Sequence, residues 1–164
     1  MARLRTLLRV AAVVLVIDQI TKLYVVHWLN LKDINTMIVI DPYLNLRMAW
    51  NEGINFGIPL ANKWVLIALA LVICAWVLVW MYRETPGLGA QISAGLVVGG
   101  AIGNIIDRVI YGAVADFLNM SCCGYENPWS FNVADISIFV GAVGLILLTG
   151  GTKENTGDSP QGSE

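Results

Sequence analysis

Between Trp64 and Tyr82 the chain runs nineteen residues without a charged side chain. A helix needs about 20 apolar residues, within a range of about 17–25, to cross the hydrocarbon of a bilayer. Three further stretches approach that length. Val10–Leu29 is interrupted by Asp18 and Lys22, Ala90–Ile106 is charge-free and rich in glycine, and Val133–Thr149 carries only Asp135. Lipid offers no water to backbone N–H and C=O groups, so spanning segments of this kind must be helical. Composition agrees: 57% of the 164 residues are hydrophobic and 13% charged, against about 25% charged in soluble domains. A net charge of −2 supplies no positive field for nucleic acid. The expected fold is therefore membrane all-α. Four transmembrane helices carry a small β-containing loop region on the outer face, all within one domain over residues 1–150.

The N-terminal stretch has the look of a signal peptide, but Asp18, Gln19 and Lys22 interrupt its apolar region, which argues for a retained helix. Arg3, Arg5 and Arg9 place the N-terminus in the cytoplasm. Four crossings bring the C-terminus back to that side, with Arg83 in the short inner loop and Lys153 in the tail. Five basic residues then lie inside, against four (Lys32, Arg47, Lys63 and Arg108) in the outer loops. The margin is narrow, so the N-terminal cluster decides. The outer loops, 30–63 and 107–132, hold most of the extramembrane chain. Within the first, Leu44, Leu46, Met48 and Trp50 alternate with Asn45, Arg47 and Ala49, the period of a half-buried strand. Asp41-Pro42 supplies a turn before it, and Gly53, Gly57 and Pro59 punctuate after it. Trp129, after Pro128, suits an interfacial anchor in the second loop. Residues 151–164 read as a disordered cytoplasmic tail, rich in Gly, Ser, Thr and acids.

Chemistry must come from few groups. Cys74, Cys122, Cys123 and the single His27 make neither a disulfide framework nor a zinc site, so no metal or other cofactor is expected. Asp18 and Lys22 lie one helical turn apart and can neutralise one another; buried as a pair, one lost charge should destabilise more than two. Gly95, Gly99 and Gly103 recur every four residues, a spacing that lets helices approach closely. They leave room between helices, with Val97, Val98 and Ile102 as apolar neighbours. Asn104, Asp107 and Arg108 can share one helix face at the exit of the third segment.

Asp116 stands among Val114, Ala115, Phe117 and Leu118; a poorly hydrated carboxyl there should have a raised pKa. Asn132 suits an N-cap, which makes Asp135 the third residue of the fourth helix, near its positive end. The topology brings Asp116 and Asp135 to the same outer depth. Two carboxylates at short range share a proton. One then takes a proton from water while the other donates to a carbonyl oxygen, as in an aspartic peptidase. Ser93, Ser121, Ser130 and Ser137 lie in no GxSxG context. Two other readings use the same acids. Asp18, Asp107, Asp116 and Asp135 would suit a proton or cation path in a small transporter or channel subunit, or would merely cap helices in a scaffold.

Five motifs in order carry a resemblance: Asp18-Gln19-x-x-Lys22, Asn51-x-Gly53-x-x-Phe56-Gly57, Gly99-Gly100-x-x-Gly103-Asn104-x-x-Asp107-Arg108, Val114-x-Asp116-Phe117 and Phe131-Asn132-x-Ala134-Asp135. Up to about Thr149 the chain resembles the lipoprotein signal peptidase (signal peptidase II) family, bacterial aspartic peptidases of the cytoplasmic membrane. The resemblance implies that Asp116 and Asp135 are the catalytic pair. It also implies a prolipoprotein substrate, cut on the N-terminal side of a cysteine that already carries diacylglycerol. Asn51, Arg108 and Asn132 match positions associated with substrate placement, and Asp18, Lys22, Asn104 and Asp107 match supporting polar positions. Membrane lipid is the implied surroundings, and a one-site bundle of this size can work as a monomer. Ile54-Asn55 departs from the small residues of many relatives. Trp50 and Phe56 are placed to cover the site and exclude water; with Met48 and Ile54 they equally suit a membrane-contacting surface.

Overall fold

The computed structural model describes residues 4–53 and 62–149; Ile54, Asn55, Phe56, Gly57, Pro59 and the 151–164 tail lie outside them. Helix α1 (Arg5–Leu23) runs on into a π-helical turn, Tyr24–Trp28, and a short helix α2 (Leu31–Ile34) leads into strands β1 (Thr36–Ile40) and β2 (Leu44–Asn51). Helices α3 (Lys63–Glu84) and α4 (Leu88–Ile110) follow, then strand β3 (Val114–Met120) and helix α5 (Val133–Thr149). The structure is mostly helical. The three long apolar helices Arg5–Trp28, Lys63–Glu84 and Leu88–Ile110 are capable of crossing a membrane.

Three boundaries differ from expectation. Helix α1 begins at Arg5 rather than Val10, because long basic side chains can lay their stems along apolar surface and keep their heads in water. Helix α4 continues to Ile110, so Asp107 and Arg108 belong to its last two turns and not to the 107–132 loop. That loop instead contains a strand, β3. Its first four residues are all buried, which removes the alternation that marks a one-sided strand.

The three strands form an antiparallel sheet in the order β1-β2-β3. Leu46 and Met48 of β2 point inward with Phe117 and Ala115 of β3, against Val25, Val26 and Leu31. Burying each such side chain contributes about 1.5–3 kcal/mol, enough to dock the sheet on the end of α1. The register shifts between Leu46 and Ala49, and beyond the shift Trp50 departs from the expected inward stripe. It is exposed, its ring 5.4 Å from that of Tyr111.

Helix α4 is the axis of the bundle. Its glycine face receives α1, the close helix approach that the four-residue spacing predicts. A Cβ on Gly99 would lie 2.7 Å from the Ala11 carbonyl oxygen, and one on Gly95 would lie 2.8 Å from that of Leu7. On another side Gly100 receives the Ala134 carbonyl of α5, at 2.5 Å from a built Cβ. Helix α3 is the most apolar and least buried of the long helices, joined to α4 and α1 through Cys74, Val77 and Met81.

Candidate active site

The end of α4, the start of α5 and the middle of β3 meet beside the sheet, and each brings acids with it. Asn132 caps α5. Its Oδ1 accepts from the Asp135 backbone N–H at 2.9 Å, and Asp135 Oδ2 accepts from the Asn132 N–H at 3.2 Å. This is a reciprocal capping box, which satisfies two otherwise orphaned donors. With its oxygen committed to the helix, the amide of Asn132 turns its Nδ2 to Asp116 Oδ1, at 2.7 Å. The fully buried Asn132 thus touches both acids.

The other oxygens are also held. Asn51, at the end of β2, donates from Nδ2 to Asp116 Oδ2 at 3.1 Å, and its own Oδ1 accepts from the Gly53 N–H at 3.0 Å. Asn104 Nδ2 donates to Asp135 Oδ1 at 2.8 Å. Neutral amides surround both carboxyls. Asp116 is 3% exposed, and burial first, then the Asp135 charge, pushes its pKa up to about 7; the amide bonds from Asn51 and Asn132 and the charge of Lys22 pull the other way. Such a group titrates near neutrality, where a general acid is most useful.

Beside this pair lies a second one of different character. Lys22 Nζ sits 2.9 Å from Asp18 Oδ2 and 2.7 Å from Asp107 Oδ2, with all three side chains buried. The anticipated Asp18–Lys22 pair is therefore a triad. Gln19, which the sequence reading left without a role, donates from Nε2 to Asp18 Oδ2 at 3.1 Å and to Asp107 Oδ1 at 3.2 Å. Its place beside Asp18 in the first motif was the only signal for it. Arg108 donates to the Asn104 carbonyl at 3.3 Å, and its buried Nε has no partner. Among the described residues no group of His, Cys, Asp and Glu is arranged to hold a metal ion.

The chain has counterparts among known proteins. The sequence family described as signal peptidase (SPase) II matches residues 10–150. The chain belongs to the signal peptidase II family. As a member it is an aspartic peptidase. It is 38% identical over 150 residues to the lipoprotein signal peptidase of Caulobacter vibrioides, covering 89% of this chain and 87% of that one. It is 41% identical over 142 residues to the lipoprotein signal peptidase of Rhodopseudomonas palustris, covering 82% and 85%. A solved structure described as a bacterial membrane enzyme is similar at a TM-score of 0.77 and 28% identity, over 92% of this chain and 94% of that one.

Proposed function

We propose that this peptidase removes signal peptides from prolipoproteins, cutting on the N-terminal side of a diacylglyceryl-modified cysteine, with Asp116 and Asp135 as the catalytic pair. The observation that carries the reading is the placement of two acids on one shared amide, that of Asn132. A single proton then belongs to the pair, and the burial and neighbouring charge that push Asp116 up to about 7 support it as the group that donates. Asp135, at a helix N-terminus where negative charge is favoured, takes a proton from water as the water attacks the scissile carbonyl. Asp116 gives its proton to the carbonyl oxygen. The tetrahedral intermediate collapses when the proton held by Asp135 passes to the leaving nitrogen and Asp116 recovers its own. Asn51, Asn132 and Arg108, whose free Nε needs an acceptor, orient the peptide and the lipid head, and Asn104 steadies Asp135.

Four spans follow if α5 crosses as well. Its 17 residues reach about 26 Å at 1.5 Å each, close to the roughly 27–30 Å of hydrocarbon in bilayers. Phe139, Ile146 and Leu147 on it are exposed, as lipid contact requires. With Arg5 and Arg9 on the cytoplasmic side, both termini face inward in the bacterial inner membrane and the site opens outward. The substrate's lipid then remains in the bilayer, and its value lies in placement: it holds the scissile bond at the depth of the pair and raises its effective concentration there. A proton or cation path is not favoured, because Lys22 closes off Asp18 and Asp107.

The test compares cleavage of one precursor with and without its diacylglyceryl group, at matched concentration in one detergent. The lipidated form is expected to be cut at least about tenfold faster. Equal rates would remove the lipid from recognition.

A further inference from the structure

The geometry points to Lys22 as a clamp that sets the separation of Asp116 and Asp135 through the backbone amides immediately before them, which makes Lys22, Asp18 and Asp107 positioning residues for the reaction. Asp18 Oδ1 accepts from the N–H of Ala134 at 3.0 Å, and Asp107 Oδ2 accepts from the N–H of Ala115 at 3.1 Å. Ala134 precedes Asp135 and Ala115 precedes Asp116. Lys22 Nζ joins the two receiving carboxylates, at 2.9 and 2.7 Å. Two short chains of contact therefore leave one ammonium. One passes through Asp18 and Ala134 to Asp135, the other through Asp107 and Ala115 to Asp116.

Each part of the clamp has a physical reason. An N–H bond to a carboxylate is charge-assisted and stiffer than one to a neutral oxygen, so the jaws must be acids. Two buried acids repel unless a cation lies between them, so the hinge must be a base. Gln19 braces both jaws without adding charge. Gly103 leaves the space, since a Cβ there would lie 2.6 Å from Asp18 Oδ2. A triad that served only to bind helices together would have no reason to end on the two residues adjoining the pair. A misplacement of about 1 Å at reacting atoms can lower a rate about 100-fold, which gives such a clamp its leverage.

The proposal rests on Asp116 and Asp135 being the catalytic pair. The experiment measures kcat, KM and the pH dependence of kcat for Lys22→Arg and Lys22→Met in detergent, per folded molecule. Asp116→Asn and Asp135→Asn are run alongside. The charges around Asp116 are Asp135 from α5, Lys22 from α1, and Asp107 and Arg108 from α4; Lys22→Arg changes none of them in sign. Lys22→Arg is expected to stay folded and lose at least about tenfold in kcat with KM within about twofold. The alkaline limb of its pH profile should move by about half a unit, as the spacing of the coupled pair changes. Wild-type kcat and an unmoved limb per folded molecule would overturn the clamp, as would a change confined to KM. Collapse of the fold in Lys22→Arg would assign the triad to stability alone and also overturn it. An active Asp116→Asn or Asp135→Asn would instead bring down the catalytic assignment itself.

Discussion

Two pairs of aspartates lie side by side in this molecule, and what stands between the members of each pair separates scaffold from chemistry. Asp18 and Asp107 share the ammonium of Lys22. Asp116 and Asp135 share only the neutral amide of Asn132. In the first pair a fixed cation holds the two carboxylates together. In the second, on the proposed mechanism, a mobile proton takes the place of that cation. On that mechanism the same residue type gives a strut in one place and an acid–base pair in the other.

The comparison breaks most visibly at the second pair. Asp116→Asn and Asp135→Asn should each lower cleavage by about 100- to 10,000-fold, the range for a lost acid or base group, while the proteins remain folded by circular dichroism. Substantial turnover by either variant would erase the distinction. Chelators should leave the wild type unaffected, and a loss in EDTA restored by zinc would replace the proton with a metal.

The first pair is tested through stability. Lys22→Met strands two buried carboxylates and should destabilise by about 3–5 kcal/mol, read as thermal unfolding in detergent. Asp18→Asn leaves the Lys22–Asp107 bridge intact and should lose less. The double variant still leaves Asp107 without its cation, so it should not recover wild-type stability, contrary to what an isolated Asp18–Lys22 pair would do. Gly103→Ala comes next: its new Cβ must displace Asp18 Oδ2, an overpacking of about 1–3 kcal/mol that should loosen the strut and lower kcat together.

The smallest effects concern pH. Folded Asp116 keeps its proton up to about pH 7, whereas the unfolded carboxyl releases it near about 4. The folded state therefore binds more protons between those values, and this group's contribution to stability falls as pH rises through them. Unfolding temperatures measured from pH 4 to 8 should decline more steeply in the wild type than in Asp116→Asn. Asn51→Ala removes a donor that favours ionised Asp116, so the alkaline limb of activity should move upward, by less than about one unit.

Local patterns were legible in the sequence. The cap at Asn132 with Asp135 three residues later, the i,i+4 spacing of Asp18 and Lys22, and the alternation around Leu46 and Met48 all express periods that one helix or strand imposes on its own residues. What escaped depends on distant segments. Asp107 joins Lys22 across 85 positions, and no spacing rule connects them. Strand β3 is hidden because burial on both faces erases the alternation that would announce it. The Gly95–Gly103 stripe announced a close helix approach, but not that α1 is the helix that makes it. Arg5 and Arg9 were visible too; their side chains let the helix begin five residues earlier than hydropathy alone indicates.

Helix caps are ordinarily interchangeable: serine, threonine, aspartate and asparagine serve almost equally well. Asn132 has lost that freedom. Serine would still receive the Asp135 N–H but would leave Asp116 Oδ1 without its 2.7 Å donor. Aspartate would cap as well, but would bring a further carboxylate, with no N–H to donate, against the pair. Only a side chain that accepts on one side and donates on the other meets both neighbours, at a length that glutamine exceeds. On the proposed mechanism, a position that most helices fill from a menu of four is narrowed here by the proton chemistry beside it.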